Sequence, residues 1–128
     1  MHKAETRNAR GLAAERQGRK AETLAVWLLR LKGYRIFARR LRQPAGEIDI
    51  IARSLSGVWC FIEVKNRSER QAAIAAVSKN QRARIVRAAA QFLAGARLRG
   101  AARFDVIGVA PGRWPQHFCD AWRPDDVM

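Results

Sequence analysis

The sequence predicts one α/β domain in which helices pack on a central mixed β-sheet, in the order α-β-β-β-α-β-β. The first observation is the order of the patterns, because strand-like runs stand both before and after a long helical pattern. The second is the length of 128 residues, which suits a single domain. The third is the 48% hydrophobic content, which supplies a core without disulfide bonds.

Three segments of the chain differ in composition. Residues 1–16 form a basic, Arg-rich N-terminal extension with a weak helical pattern and frayed ends. Residues 17–122 form the folded domain, and residues 123–128 a loose C-terminal tail. No internal repeat or low-complexity linker divides the domain. We therefore expect one folded unit.

The first helix is predicted over residues 17–32, with Gly33 as its C-terminal stop. Four apolar residues recur at i, i+3, i+4 and i+7, the spacing of one helix face: Leu24, Trp27, Leu28 and Leu31. The prediction is that this stripe faces the core.

Three strands are predicted next. Residues 34–39 alternate enough for a first strand, and a turn follows at residues 44–46. Residues 47–52 and 58–65 then form a hairpin whose tip lies at residues 54–57.

A long helix is predicted over residues 72–94, with further strands at residues 104–109 and 116–122. The helix is expected to present one apolar face to the sheet, made of Ile74, Val77, Ile85, Ala88, Ala89 and Phe92. Trp27 and Trp59 are also predicted to be core residues.

Charge is the strongest global signal. Lysine and arginine number 25 against 11 acidic residues, which gives a net charge of +14. Such an excess favours nucleic acid over a neutral metabolite as a partner, although it also suits a merely well-solvated surface. The four tryptophans form no base-stacking stripe, so shape and phosphate recognition are expected.

The sequence also predicts where the protein resides. No apolar run approaches the roughly 18 residues of a membrane span, so no membrane partner is expected. The first residues lack the apolar core of a secretory signal, which predicts a cytoplasmic protein, with nucleoid association as an alternative. Cys60 and Cys119 are expected to be reduced thiols, and zinc is not favoured because no Cys-x-x-Cys occurs.

Charged residues inside the predicted hairpin carry the chemistry. Glu63 and Lys65 share one strand face with Phe61, because side chains alternate with period two. A hairpin symmetric about Ser56 places Asp49 opposite Glu63, with Cβ atoms about 5 Å apart. Two carboxylates at that distance repel each other unless a cation lies between them. Oxygen ligands of this kind suit Mg²⁺ or Mn²⁺.

A metal at this position would suit phosphodiester hydrolysis. The ion would polarise a phosphate oxygen and activate a water, and Lys65 would orient that water or offset the charge that builds on the phosphate. The alternative is an ordinary ladder of ion pairs on a solvent-facing side of the sheet, since Glu-x-Lys alone is a weak motif.

Longer segments carry a resemblance to a known family. GEIDIIA at residues 46–52, FIEVKNR at 61–67 and RFDVIGV at 103–109, with GRKAE at 18–22, resemble the bacterial YraN-like (UPF0102) family of predicted endonucleases. The resemblance extends over residues 11–122 in the same order. It implies the restriction-endonuclease-like fold of the PD-(D/E)xK nucleases, with a pattern similar to archaeal Holliday-junction resolvases.

The resemblance assigns roles to single residues. Asp49 matches the first metal-binding acid, Glu63 the second, and Lys65 the lysine of the motif, while the carbonyl of Val64 would be a backbone ligand. Ile48 stands where the motif has proline, which leaves the acid in place.

Two further positions match the site of resolvase-like nucleases or face it. Glu22 matches the acid that the first helix brings to the metal, although an exposed helix glutamate is the simpler interpretation. Gln81 lies on the apolar face of the long helix, where it would either bond a strand end or serve the site.

Basic residues near these motifs are candidates for contacts with nucleic acid. Lys79, Arg67 and Arg82 are predicted to bind phosphates, with solvated surface charge as the alternative. Asp105 is predicted to be structural and to pair with Arg103 or Arg67.

The sequence therefore predicts a metal-dependent endonuclease that hydrolyses DNA phosphodiester bonds, on branched or damaged DNA. The alternative is a non-catalytic nucleic-acid-binding protein that retains the nuclease fold. A homodimer would suit a symmetric branched substrate.

Overall fold

Residues 2–127 are described in the computed structural model of the protein, with side chains for Arg16 and for residues 18–127. The elements are α1 His2–Leu31, β1 Arg35–Gln43, β2 Gly46–Arg53, β3 Trp59–Lys65, α2 Arg70–Ala75, α3 Lys79–Gly95, β4 Ala102–Gly108, β5 Gln116–Trp122 and a 3₁₀ turn Pro124–Asp126. None of the helices in this range is both long and apolar enough to cross a bilayer.

The five strands form one mixed sheet with the spatial order β1-β2-β3-β4-β5. Neighbouring strands run antiparallel except β3 and β4, which are parallel. A parallel pair needs a crossover, which here is supplied by α2 and α3. The architecture confirms the predicted α/β fold and is that of a restriction-endonuclease-like core.

Helices cover both faces of the sheet. One face packs against α1 through Ala25, Val26 and Leu29. The other packs against α2 and α3 through Ala73, Val77, Ile85, Ala88 and Ala89, which confirms most of the predicted inner face. Trp59 lies in this second cluster, as predicted.

The apolar stripe predicted for α1 does not face the core. Leu24, Trp27 and Leu31 are exposed, Trp27 by 57%, and the small Ala21 and Ala25 face the sheet instead. Small side chains let the helix axis approach the strands closely. A periodic pattern alone cannot tell which of two apolar helix faces packs against the sheet. The predicted stop is confirmed, because Gly33 has a φ of 86° and ends the helix.

The single long helix predicted over residues 72–94 is wrong, because the chain breaks between α2 and α3. Ser78 caps α3 by accepting a hydrogen bond from the Gln81 N–H at 3.1 Å. Arg82 holds the break by donating to the backbone oxygens of Ile74 at 2.7 Å and Val77 at 2.9 Å. Ser78 and Gln81 have capping-box spacing, a signal that predicts this boundary.

The ends of the sheet also differ in part from the prediction. β1 extends to Gln43, four residues past the predicted end, because it follows β2 as far as the Gln43↔Gly46 pair. β5 has the predicted bounds. The tail is not wholly loose, since Arg123 N–H donates to Asp126 Oδ2 at 2.9 Å in the 3₁₀ turn.

Candidate active site

The candidate site lies where β2 and β3 part. The two strands pair from Arg53↔Trp59 only as far as Ile50↔Ile62. Beyond that pair β2 continues along β1, while β3 continues along β4 to Lys65. Asp49 and Glu63 occupy the next position of this register, so the two residues lie opposite each other as predicted.

Carboxylates, rather than backbone oxygens, accept the hydrogen bonds in the fork. Val64 N–H donates to Asp49 Oδ2 at 2.9 Å, and Asp49 N–H donates to Glu63 Oε1 at 3.4 Å. Backbone donors thus fix both acids, which satisfies groups that the parting strands would otherwise leave unpaired.

The two carboxyl groups lie close to each other, with Asp49 half-buried and Glu63 buried. Glu63 is only 2% exposed, and its pKa is raised well above the ordinary value by burial first and then by the charge of Asp49. Burial also raises the pKa of Asp49, against a lowering by the Val64 N–H. Both shifts show that two ionised acids are unfavourable here, and a bound cation would remove that cost.

Gln81 connects the acid pair to the lysine. Its Nε2 donates to Glu63 Oε2 at 3.3 Å, and its Oε1 accepts from Lys65 Nζ at 3.4 Å. The amide on α3 therefore holds a carboxylate and an ammonium on one side of the sheet. The structure thus places the Gln81 amide beside Glu63 and Lys65, and its role in the site stays a prediction.

Glu22 is buried, but arginines hold its carboxylate. Arg40 Nε donates to it at 2.7 Å and Arg39 Nε at 3.3 Å. The interpretation as an exposed helix glutamate is therefore wrong. Glu22 does not form a tight three-acid cluster with Asp49 and Glu63, since the one group of three metal-ligand types within 4.8 Å found in the described residues lies elsewhere.

A cleft of about 420 Å³ opens at Asp49 and Glu22. It is lined by Gly18, Ala21, Glu22, Arg40, Arg42, Glu47, Asp49, Val64 and Asn66. Val64 N–H points to the β2 side of its strand, and the carbonyl of the same residue shares that direction. The predicted backbone ligand therefore faces the cleft. The carboxylate of Asp49 and the carbonyl of Val64 could hold a hard divalent cation, together with the carboxylate of Glu63 that lies next to Asp49.

The predicted nucleic-acid contacts differ in their surroundings. Lys79 and Arg67 are exposed. Arg82 is half-buried, and besides its two bonds to backbone oxygens its guanidinium lies 5.5 Å from the centre of the Trp122 ring. These contacts assign Arg82 to the packing of α2 on α3.

A second polar cluster surrounds Asp105, which is fully buried. Its oxygens accept from Arg103 at 2.8 and 2.9 Å, from His117 Nε2 at 2.8 Å and from Asp120 N–H at 2.9 Å. The predicted pair with Arg103 is confirmed. Asp105, His117 and Cys119 are the tight group of possible metal ligands. All four acceptor directions of Asp105 are already used, so a metal would have to displace one of these donors.

The two cysteines are free, as predicted. Burial raises the pKa of Cys60 to about 12, so this thiol stays protonated and inert.

Sequence reasoning missed Arg39 and Arg40, which form salt bridges with Glu22. The run Ala38-Arg-Arg-Leu41 gives a weak signal, because two adjacent bases in one strand cannot normally reach one carboxylate. Arg40 has a φ of 51°, and this left-handed residue breaks the alternation, so that both guanidinium groups reach the first helix.

The fold and the site define an α/β protein with a restriction-endonuclease-like core and a pair of neighbouring acids at a strand fork. The chain belongs to the uncharacterised protein family UPF0102, whose model matches residues 21–109. It is 52% identical over 122 residues to a UPF0102 protein of Parvibaculum lavamentivorans, covering 91% of this chain and 88% of the relative. A UPF0102 protein of Caulobacter sp. is 48% identical, covering 91% and 84%.

Proposed function

We propose that the protein is a metal-dependent endonuclease that hydrolyses DNA phosphodiester bonds at the strand fork, with Mg²⁺ or Mn²⁺ as its cofactor. The observation that carries the proposal is the contact of two acids, the buried Glu63 and the half-buried Asp49, whose pKa values are both raised. A protein gains nothing for stability from such a pair alone, and perturbed acids in a cleft mark functional sites.

The protein groups divide the chemical work. When bound, the divalent ion supplies charge that polarises a phosphate oxygen and lowers the pKa of a water. Asp49, Glu63 and the carbonyl of Val64 would hold it. Lys65 is kept on the Glu63 side by Gln81, where its ammonium can offset negative charge that grows on the phosphate.

Charge around the site suits a polyanion. The chain carries +14 overall, and Lys79 and Arg67 are exposed bases on the segments that follow β3. Each phosphate that such a base neutralises adds to affinity and to its dependence on salt. Glu22 would then act on the site through charge, since its repulsion contributes to the raised pKa of Asp49.

A cleavage panel tests the proposal. Purified protein is incubated with duplex, single-stranded, flap and four-way DNA over a titration of Mg²⁺ and of Mn²⁺. We expect cleavage only with metal, no cleavage by Glu63→Ala, and a loss of about 10²- to 10³-fold for Lys65→Ala. Asp125→Asn, a change of an exposed acid in the C-terminal 3₁₀ turn, is the matched control and should cut normally.

The opposite result would favour a non-catalytic nucleic-acid-binding protein. That protein would bind DNA equally with and without metal and cut none of the four substrates. Cleavage that survives in Glu63→Ala would indicate a contaminating nuclease and contradict the proposed site.

A further inference from the structure

A second, larger cleft of about 650 Å³ opens beside the candidate active site. It lies between α1 and the segment that joins β4 to β5. Ala21 and Asn66 line both clefts, so the two are adjacent on the surface. Its volume lies within the range of about 300–1,000 Å³ that is typical of ligand sites.

The walls of this cleft combine an exposed aromatic ring with apolar and basic side chains. Trp114 is 72% exposed, and Leu24 and Pro111 contribute further apolar surface. Lys20 and Arg113 also line it. Pro115 follows the tryptophan directly and is buried, so the backbone that carries the ring is anchored.

An unpaired nucleobase fits this combination better than a paired one does. Inside a duplex the faces of the bases are covered by their neighbours and only the edges are accessible. A flat exposed ring gains stacking energy only from a base face, and nearby cations attract the phosphates on either side of that base. Apolar walls with basic side chains thus match a nucleotide that has left the stack.

We propose that this cleft takes one unpaired base of the DNA strand, with Trp114 as its stacking surface, while a neighbouring phosphate lies at the fork of Asp49 and Glu63. The placement of a phosphate at the fork rests on the proposed nuclease function, whereas the binding of the base does not. It identifies the substrate class as DNA with an unpaired nucleotide beside the cleaved bond, such as a flap, a bulge or a strand junction. Fully paired duplex lacks the group that the cleft binds.

Binding without metal tests the cleft separately from catalysis. Two oligonucleotides are compared in EDTA at fixed ionic strength: a paired hairpin, and the same hairpin with one unpaired 2-aminopurine. Anisotropy gives the affinity, and quenching of the 2-aminopurine fluorescence reports stacking. The variants are Trp114→Ala, Trp114→Phe and, as matched control, Trp27→Ala, which removes an exposed tryptophan of α1 outside the cleft.

We expect wild type to prefer the unpaired substrate and to quench its fluorescence. Trp114→Ala should weaken that binding by about 5- to 150-fold, abolish the quenching and leave the paired hairpin unaffected. Trp114→Phe should keep most of both signals, and Trp27→Ala should bind like wild type.

Three results would overturn the inference. Equal affinity of wild type for both hairpins would do so, as would unchanged binding by Trp114→Ala. The third is a change of oligomeric state in Trp114→Ala, measured by light scattering, while the affinity for DNA stays intact. The cleft would then be a contact between copies of the chain. Failure of the nuclease proposal is distinguishable, since it appears as absent metal-dependent cleavage while the Trp114-dependent binding in EDTA persists.

Discussion

The network around Asp105 should be a main source of stability, and Asp105→Asn tests it. The carboxylate is fully buried and accepts four hydrogen bonds, two of them from Arg103. An asparagine offers one oxygen and one NH₂ group, so some of these donors would face another donor. Removing one charge from an ion pair of this kind, in which Asp105 is fully buried and Arg103 is half-buried, costs about 3–5 kcal/mol. A whole domain is stable by only about 5–15 kcal/mol.

Urea unfolding measured by tryptophan fluorescence gives the free energy of unfolding. With a slope of about 2 kcal/mol per molar urea, the expected loss lowers the midpoint by about 2 M. Asp120→Asn is the matched control, because Asp120 pairs with Arg123 at the surface with 43% of its side chain exposed. An exposed pair contributes less than about 1 kcal/mol, so the control should unfold close to wild type.

The pH dependence follows from the pKa of Asp105. Burial alone would raise this pKa, but the hydrogen bonds from His117, Arg103 and the Asp120 N–H outweigh burial and leave it lowered. The stabilisation is therefore present above about pH 4, the ordinary pKa of an aspartate, and is lost as pH falls through the folded-state value. Equal losses for Asp105→Asn and Asp120→Asn at pH 7 would refute this account.

Three further changes test the packing. Leu29→Ala should lower the free energy of unfolding by about 2–5 kcal/mol, whereas Leu31→Ala should be nearly neutral, because only Leu29 faces the sheet. The reverse order in urea unfolding would mean that the stripe predicted for α1 faces the core after all. Gly108→Ala should destabilise by about 1–3 kcal/mol, since a Cβ would overlap the carbonyl oxygen of Arg67, and unchanged stability would contradict that contact. Ser78→Ala removes the cap of α3 and should cost about 1 kcal/mol in the same assay, while an unchanged midpoint would show that the cap adds nothing.

The hairpin and the acid pair could be predicted from the sequence because the signals there are local. Period-two alternation and a short polar turn fix the register of β2 against β3, and the register alone brings Asp49 opposite Glu63. The bounds of β5 were equally accessible, since glycine and proline delimit the strand.

Other features depend on contacts that no local pattern shows. Two apolar faces of α1 have the same period, and only the space available against the sheet selects the one with Ala21 and Ala25. The salt bridges of Glu22 depend on the left-handed residue Arg40 in β1. The exposed position of Trp114 beside the candidate site depends on how the β4–β5 segment meets the first helix.

Thermal unfolding in a titration of Mn²⁺, with wild type beside Glu63→Gln, tests most directly that the strand fork holds a divalent ion. At a concentration about 100 times the dissociation constant, binding stabilises the folded state by about 2.7 kcal/mol, a rise in Tm on the order of 10 °C. Wild type should show this rise. Glu63→Gln should show none, and without metal it should be at least as stable as wild type, because the repulsion between two neighbouring acids is gone. An equal rise in Glu63→Gln would mean that the ion binds elsewhere.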